Sequence, residues 1–340
     1  FVAIADVSFY VKMGSKTDRE AQKRGTSVYF PAKVTPMLPE DLSNGICSLK
    51  PNEDRCAMIC EMSLGLDGKR GKYKFYSGLI KSKARLTYNE VEKHLQGSSK
   101  IELSQARDSI NDLNELTNLR LIHRNKRKAL EINPKEMSLE LNKNKKVKNI
   151  LVKKSLFAHK LVEESMLLAN ESAAEFMQDR LNLGVYRVHE DPDASKLELL
   201  KKHFHIPAQI SKKLSPLEVI NSCLIQANKK NDDIGKILVL QTLARAEYST
   251  NNLGHFGLQL QKYTHFTSPI RRYPDLLVHR LISSYLAQKK PNRTENELQD
   301  ECENASVLER RAEKASRQVE QVLVCEYLKR KIGSTMNGVI

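Results

Sequence analysis

The chain has 340 residues, and its 56 lysines and arginines outnumber its 41 aspartates and glutamates, which gives a formal net charge of +15 at pH 7. A surplus of this size indicates a polyanionic partner, and since no stretch approaches the ~18 consecutive apolar residues of a membrane-spanning helix, we expect nucleic acid and no membrane. The six cysteines form no CxxC pair and no histidine precedes His94, which argues against a zinc site and a disulfide framework and favours a cytoplasmic location.

The first ninety residues are predicted to be mainly β-structure. Apolar residues are frequent in Met58–Leu66, an Asp-Gly turn follows, and Tyr73–Lys83 returns, which predicts a β-hairpin. Thr87, with Glu90 three residues later, is the pattern of a capping box and predicts the start of a helix.

The rest of the chain is predicted to be mainly helical. A second hairpin is indicated at residues 137–153. Apolar residues at helical spacing predict long helices in three places: near residues 110–121, from about His159, and from about Thr294 to Lys329. No internal repeat or low-complexity linker divides the chain. The predicted fold class is therefore α+β, a single large domain with a mixed β-sheet and several long helices.

The segment HFTSPIRRYPDLLVHR, residues 265–280, concentrates cations, aromatic residues and prolines. Its Thr-Ser-Pro triplet at 267–269 predicts a helix start, because a hydroxyl can cap free backbone N–H groups and proline fits the first turn. Arg271 and Arg272 would then lie in that turn, where the N–H groups, the helix dipole and the guanidinium groups favour a phosphate. The alternative is that Arg271 pairs with Asp275 on the surface.

The longer segment HFGLQLQKYTHFTSPIRRYPDLLVH, His255–His279, resembles the signature of the ribonuclease II family of 3′-to-5′ exoribonucleases. Its double arginine followed by Tyr-Pro-Asp is closer to the bacterial ribonuclease R branch than to ribonuclease II itself. The resemblance implies an RNB-type catalytic domain over residues 1–331, and residues 332–340 resemble the start of an OB-type RNA-binding domain. Further segments resemble the family in the same order: Val2–Val11, Arg19–Pro31, Pro36–Leu49, Lys83–Val91, His159–Asn170 and Tyr186–Pro192.

The resemblance implies processive, metal-assisted hydrolysis of single-stranded RNA from its 3′ end to nucleoside 5′-monophosphates. Magnesium suits the all-oxygen, two-cation site of such enzymes. In the family the aspartates that hold the metal ions precede the strand with which this chain begins, so the ligands of Mg²⁺ are expected upstream of Phe1. Asp6 is expected to make a polar contact at a strand end instead of binding metal. We therefore expect this chain to be an internal part of a longer enzyme. By itself, the chain is expected to bind RNA without degrading it.

The resemblance also implies roles for single residues. Arg271 matches the arginine that grips the scissile phosphate, and Arg272 is the second arginine predicted to bind RNA. Tyr88 matches the aromatic residue that clamps the terminal nucleotide, and the alternative is a tyrosine packed on the sheet. Glu163 matches a carboxylate that contacts this nucleotide, with a ribose hydroxyl as its partner, and the alternative is an ordinary exposed helix residue. Ile132 stands where the family has a second stacking phenylalanine.

Two other functions fit the same composition. A non-catalytic RNA-binding module of the same fold would keep the basic surface without the metal ligands. A protein that binds duplex DNA is permitted by the charge, but the sequence contains no recognition-helix or zinc-finger pattern. No small-molecule cofactor is expected, and the sequence does not predict a protein partner.

Overall fold

The computed structural model describes residues 1–132, 137–152, 155–207, 209 and 213–335. Its strands are β1 (Val2–Ala5), β2 (Val28–Phe30), β3 (Lys33–Thr35), β4 (Asp54–Leu64), β5 (Arg70–Lys81), β6 (Met137–Leu141), β7 (Val147–Val152), β8 (Tyr186–Val188) and β9 (Glu247–Ser249). Its helices are α1 (Val7–Tyr10), α2 (Lys16–Arg24), α3 (Tyr88–Leu95), α4 (Ser104–Lys126), α5 (Phe157–Phe176), α6 (Ala194–His203), α7 (Pro216–Lys229), α8 (Asp233–Thr242), α9 (Tyr273–Leu286) and α10 (Glu295–Lys329). This confirms the predicted α+β class with several long helices.

The central sheet has three antiparallel strands in the order β1-β4-β5. β4 and β5 form the predicted hairpin, and their register pairs Cys60 with Phe75. β1 lies on the other side of β4 and pairs Ile4 with Met58. Met58 and Cys60 are fully buried. Since alternate residues of a strand point to the same face, this face of the sheet supports the main core.

The main hydrophobic core lies between the sheet and helices α5 and α9. Phe75 of β5 makes edge-to-face contacts with Phe176 of α5 and with Phe266, at centroid distances of 5.3 and 5.4 Å. Phe266 also stacks on His279 of α9 at 4.5 Å, and His279 Nε2 donates a hydrogen bond to the Phe266 carbonyl at 2.8 Å. Aromatic pairs of this geometry add to the stabilisation by burial. The segment before α9 is therefore fixed to the core.

The prediction that a helix begins at residues 267–269 is wrong. α9 begins at Tyr273, and Arg272 precedes it in an extended conformation (φ −136°, ψ 125°), with a β-bridge to Thr26. A helix that began at 267–269 would hold Pro274 in its interior, where proline removes a backbone hydrogen bond and clashes with the preceding turn. In the first turn of α9 the same proline is tolerated. The double arginine therefore lies before the helix.

Helices α6, α7 and α8 form a smaller group with its own core. Val219, Ile220 and Cys223 of α7 are buried in it. Ile132 is partly buried against the same core. The residue at the position of the family's second stacking phenylalanine therefore contacts apolar side chains of the protein.

Two local predictions from the sequence are confirmed. Thr87 and Glu90 form a capping box at the start of α3, because Glu90 Oε2 accepts from the Thr87 backbone N–H at 2.6 Å and Thr87 Oγ1 accepts from the Glu90 backbone N–H at 3.3 Å. The second hairpin is formed by β6 and β7, which pair Met137 with Val152. Residue 153, the predicted end of this hairpin, lies outside the described residues.

The described part of the chain contains no helix that is long and apolar enough to cross a membrane. The predicted domain boundary near residue 331 stays a prediction. Most of the segment 332–340 falls on residues 336–340, which lie outside the described residues.

Candidate active site

A cavity of about 350 Å³ opens between β1 and the turn that precedes α9. It is lined by β1 residues 3–5, by Tyr29 of β2, by Ser43 and residues 47–49 and by the turn at 267–271. Burial raises the pKa of the Cys47 thiol in this lining to about 11, so the thiol is neutral at pH 7. Among the described residues that line the cavity, only Arg271 has a charged side chain. The cavity therefore favours an anionic group.

The backbone of Arg271 is held firmly while its guanidinium is exposed. Its N–H donates to the Ser268 carbonyl at 3.1 Å, and its carbonyl accepts from the Ser27 N–H at 2.9 Å and from Thr26 Oγ1 at 3.0 Å. Within the described ranges, the Arg271 side chain has no hydrogen-bond or ion-pair partner. A fixed backbone with an unpaired guanidinium is suited to binding a phosphate, whose oxygens accept two parallel N–H bonds.

Arg272 has a different environment. Its guanidinium donates to Asp275 Oδ1 at 2.7 Å, and the same oxygen accepts from the Ser268 N–H at 2.7 Å. The Asp275 side chain is fully buried. Burial lowers the pKa of Arg272, but the charge of Asp275 and their hydrogen bond outweigh it and raise the pKa above its ordinary value. The ion pair expected as an alternative for Arg271 is thus made by Arg272, and RNA binding by Arg272 stays a prediction.

The segment that leads to the double arginine is attached to helix α5. Asn170 Oδ1 accepts from the Phe266 N–H at 2.9 Å, and Asn170 Nδ2 donates to the Tyr263 hydroxyl at 3.2 Å. His265 forms a 2.8 Å hydrogen bond with the Tyr248 hydroxyl through Nδ1. Burial lowers the pKa of His265 well below its ordinary value, so this ring is neutral. The segment that leads into the turn at 267–271 is therefore held by hydrogen bonds between uncharged groups.

Tyr88 is the first residue of α3, and 46% of it is exposed. Its ring stacks on His159 of α5, with centroids 4.2 Å apart and an angle of 24° between the planes. His159 and Glu163 are four residues apart on α5, so their side chains lie on the same face of this helix. Tyr88 is thus held by a helix instead of by the sheet, and it keeps an accessible surface for stacking.

Glu163 is held between two cations. Its Oε1 accepts from Arg124 Nη1 at 2.6 Å, and its Oε2 lies 3.3 Å from Lys160 Nζ. The side chain remains 38% exposed. Burial raises the pKa of Glu163, but the hydrogen bond and charge of Arg124 outweigh this and bring the pKa below its ordinary value. Glu163 is therefore an ionised acceptor, unlike an ordinary solvent-facing helix residue.

Helix α5 connects the two parts of the candidate site. It carries Glu163 and also Asn170, which is on the order of 10 Å further along the axis. Asn170 holds the segment that leads to Arg271. In the part of the chain that the structure describes, no hydrogen bond, ion pair or ring contact joins Tyr88 or Glu163 directly to Arg271. The structure therefore places Tyr88 of α3 against the face of α5 that carries Glu163, and it connects Arg271 to α5 through Asn170.

The described residues do not fit the two-metal site that the family implies. They contain no group of three or more His, Cys, Asp or Glu side chains that could hold a metal ion. Asp6 accepts from the Phe9 N–H at 3.2 Å and from Ser8 Oγ at 2.5 Å, so it caps α1. This agrees with the polar contact predicted for Asp6 at a strand end.

Two features of the site were missed by the sequence reasoning. Tyr29 lines the cavity with Arg271 and is 52% exposed. Alternation along β2 could have indicated it, because Tyr29 lies between two less exposed neighbours and must point to the opposite face. The second feature is Arg124, which in the sequence is one of four cations among residues 124–128. Its contact with Glu163 spans 39 residues of sequence, and no local pattern indicates it.

Comparison with known proteins identifies the family. The RNB domain model matches residues 1–288. Ribonuclease R of Escherichia coli (strain K12) is 38% identical over 359 residues, which cover 100% of this chain and 44% of that protein. Ribonuclease R of Thermotoga maritima is 41% identical over 352 residues, which cover 100% of this chain and 49% of that protein. The chain spans less than half the length of these relatives.

Solved structures agree with this match. The apo form of Mycoplasma genitalium RNase R has a TM-score of 0.91 and 33% identity, and the match covers 98% of this chain and 54% of that one. The same protein in complex with ribose-methylated single-stranded RNA has a TM-score of 0.89 and 32% identity, with the same coverage of 98% and 54%. The resemblance seen at His255–His279 is thereby confirmed, and the chain belongs to the RNB domain family.

Proposed function

We propose that this chain is the greater part of the catalytic domain of a processive 3′-to-5′ exoribonuclease, which hydrolyses single-stranded RNA to nucleoside 5′-monophosphates. The observation that carries the proposal is the unpaired guanidinium of Arg271 in a cavity whose other described lining residues are uncharged. The relatives named ribonuclease R, and the Mycoplasma genitalium protein solved with single-stranded RNA, support RNA as the polyanion.

Arg271 contributes charge at the scissile phosphate. Its backbone is fixed beside the cavity by three hydrogen bonds, so its guanidinium is within reach of a bound phosphate. A cationic donor at this place would stabilise the additional negative charge of the transition state more than the charge of the bound substrate. Tyr29 in the same cavity offers an aromatic face on which any base can stack. Both contacts are independent of base identity, which suits a degradative enzyme.

Tyr88 and Glu163 are proposed to hold the 3′-terminal nucleotide. Tyr88 supplies a ring surface for the base, and its orientation is set by the stack on His159. Glu163 is ionised, and a carboxylate accepts hydrogen bonds from ribose hydroxyl groups, which DNA lacks at the 2′ position. Tyr88 and Glu163 would therefore recognise the 3′ end of RNA by its sugar, regardless of the base sequence.

We also propose a dependence on Mg²⁺, with the ligands upstream of Phe1 as the family implies. Bound divalent cations would activate water and stabilise the leaving oxygen. A cytoplasmic location is proposed as well, and the six unpaired cysteines support a reducing compartment.

The competing function is an RNA-binding module of the same fold without catalysis. The two functions are separated by incubating the complete enzyme with Mg²⁺ and 5′-labelled single-stranded RNA. The proposal predicts products shortened from the 3′ end and release of 5′-monophosphates, whereas binding without release would support the module. The 340-residue chain by itself is expected to bind the RNA and to release nothing. Affinities for single-stranded RNA, single-stranded DNA and duplex DNA, measured in parallel, exclude or support a duplex-DNA protein.

A further inference from the structure

One nitrogen atom of Arg124 bridges two consecutive carboxylates of α5. Arg124 Nη1 donates to Glu163 Oε1 at 2.6 Å and to Glu164 Oε1 at 3.0 Å. The Arg124 side chain is 10% exposed and that of Glu164 is fully buried, whereas Glu163 reaches the surface. The bridge therefore connects a buried carboxylate to the one proposed to contact RNA.

The buried side of this bridge is anchored to the fold. Arg120 Nε lies 3.5 Å from Glu164 Oε2, and Arg120 Nη1 donates to the Gly68 carbonyl at 2.8 Å. Gly68 belongs to the turn between β4 and β5, and a Cβ atom there would lie 2.4 Å from the Leu119 carbonyl of α4. The hairpin turn, α4 and α5 are thus packed closely around the Arg120, Glu164 and Arg124 side chains. Arg124 consequently has little freedom to move away from Glu163.

This arrangement restricts the Glu163 carboxylate without covering it. Arg124 donates to Oε1, and Lys160 approaches Oε2 from the preceding turn of the helix. The Glu163 side chain remains 38% exposed, and it shares its face of α5 with His159, on which Tyr88 stacks. A free glutamate would lose side-chain entropy when it binds a hydroxyl group, and a carboxylate that is already fixed avoids much of this loss.

We propose that Arg124 is a positioning residue, which fixes the Glu163 carboxylate for the ribose hydroxyl groups of the 3′-terminal nucleotide. The proposal rests on the terminal-nucleotide role given to Glu163 in the proposed function. It adds that this recognition depends on a residue that does not itself touch RNA.

The structure offers a matched control for a purely structural role. Arg70 of β5 is 8% exposed and forms an ion pair with Glu175, which is also on α5. Glu175 lies on the order of 18 Å along the helix axis from Glu163. Arg70→Ala removes a largely buried arginine that fastens the same hairpin to the same helix, and it leaves the Arg124 bridge intact. If Arg124 only fastens α4 to α5, the two variants should behave alike.

The test compares two single-stranded RNA oligonucleotides that differ only at the 3′-terminal nucleotide, which carries either ribose or 2′-deoxyribose. Affinities of the complete enzyme are measured without divalent cations, so that no cleavage occurs, and the folded state of each variant is confirmed by its melting temperature. A hydrogen bond to a charged group predicts that the wild type prefers ribose by about tenfold. Glu163→Gln, Arg124→Ala and the double variant should each lose this preference to the same extent, because coupled residues are not additive. Arg70→Ala should keep it.

If Arg124→Ala does not fold, Arg124→Gln is measured in its place, because its amide retains a donor and is too short to bridge both carboxylates. A folded Arg124 variant that keeps the wild-type preference for ribose overturns the proposal. Loss of the preference in Arg70→Ala also overturns it, since any loosening of α5 would then have the same effect. If the wild type binds both oligonucleotides equally well, the role of Glu163 fails together with that of Arg124 while RNA binding stands. A wild type that binds neither contradicts the proposed function itself.

Discussion

Arg272 and the fully buried Asp275 form an ion pair with a nitrogen-to-oxygen distance of 2.7 Å, directly beside the exposed and unpaired guanidinium of Arg271. Asp275 Oδ1 also accepts the Ser268 N–H, so the pair fastens the turn in which Arg271 lies. The two adjacent arginines therefore differ: the charge of Arg272 is neutralised by Asp275, whereas the charge of Arg271 remains available to a ligand.

We predict that Arg271→Ala in the complete enzyme reduces the rate of hydrolysis more than it reduces RNA affinity. Donors that act on developing charge typically contribute on the order of 3 kcal/mol, or a hundredfold or more in rate. Arg271→Lys keeps the charge but lacks the planar fork, so it should also be impaired. Single-turnover hydrolysis and equilibrium binding, measured on the same variants, separate the two effects. A normal rate for Arg271→Ala would remove the phosphate role from this residue.

The control for this measurement should be Arg311→Ala. Arg311 is exposed on α10 and is not among the described residues that line the cavity. Arg280, on α9, is unsuitable, because its buried guanidinium donates to Asp18 Oδ1 at 2.7 Å and to the Val11 carbonyl at 2.8 Å. Removal of Arg280 would leave the Asp18 charge unpaired in the interior and so reduce the stability of the fold.

Asp275→Asn is predicted to destabilise the protein by about 3–5 kcal/mol, because it leaves the buried charge of Arg272 without its counter-ion. The free energy of unfolding at pH 7, from urea titration, measures this change. Asp300→Asn on the exposed surface of α10 is the control and should have little effect. A loss below about 1 kcal/mol for Asp275→Asn would indicate that Arg272 is solvated after all.

Stability is predicted to fall as the pH decreases below neutrality, partly because of three histidines whose pKa is lowered in the folded state. Burial is the main cause that lowers the pKa of His255 to about 3, and it also lowers the pKa of His189 and of His265. In the unfolded chain these rings bind protons near pH 6.5, so between about 6.5 and the lower folded values the unfolded state binds more protons. The stabilisation is complete above pH 6.5 and is lost as the pH falls toward 3.

Urea unfolding at pH 7.5 and pH 5 tests this prediction. Each such histidine contributes at most about 1.4 kcal/mol per pH unit. His255→Gln should therefore show a shallower pH dependence than the wild type, whereas His203→Gln, on an exposed part of α6, should not. Equal slopes for the wild type and His255→Gln would contradict the assignment.

RNA affinity is predicted to decrease steeply between roughly 50 and 200 mM salt, because cations on the protein release counterions from the phosphates. The formal net charge of +15 motivates this expectation. Titration of a labelled single-stranded RNA at several salt concentrations gives the slope. An affinity that does not change with salt would argue against nucleic acid as the partner.

The features that could be predicted from sequence are those with local causes. The capping box of Thr87 and Glu90 and the β4–β5 hairpin depend on residues a few positions apart, and both are present. The helix start at residues 267–269 was predicted wrongly from an equally local signal. There the backbone restriction imposed by Pro274 outweighs the capping tendency of the hydroxyl groups, and the turn is held by Asp275 instead.

The features that could not be predicted are contacts between distant segments. The pairing of Arg280 with Asp18 spans 262 residues, and that of Arg124 with Glu163 spans 39. Charge and spacing in the sequence predict that each of these residues lies on a helix. The ion-pair partner of each residue is set by how the helices pack, which the sequence pattern does not show. Sequence reasoning could therefore name Glu163 as a candidate, and the structure was needed to show what restrains it.

Asn170 ties the segment that leads to Arg271, the proposed phosphate ligand, to the same helix that carries Glu163, the proposed sugar ligand. It secures the segment before Arg271 to the helix that carries Glu163, through hydrogen bonds of 2.9 and 3.2 Å. A helix has a constant rise per residue, so the spacing between Glu163 and Asn170 does not vary with the motion of loops. An RNA strand that advances by one nucleotide presents the same repeat of sugar and phosphate after each step. In the proposed function, this fixed spacing would therefore meet the same backbone repeat at every step, whichever bases that backbone carries.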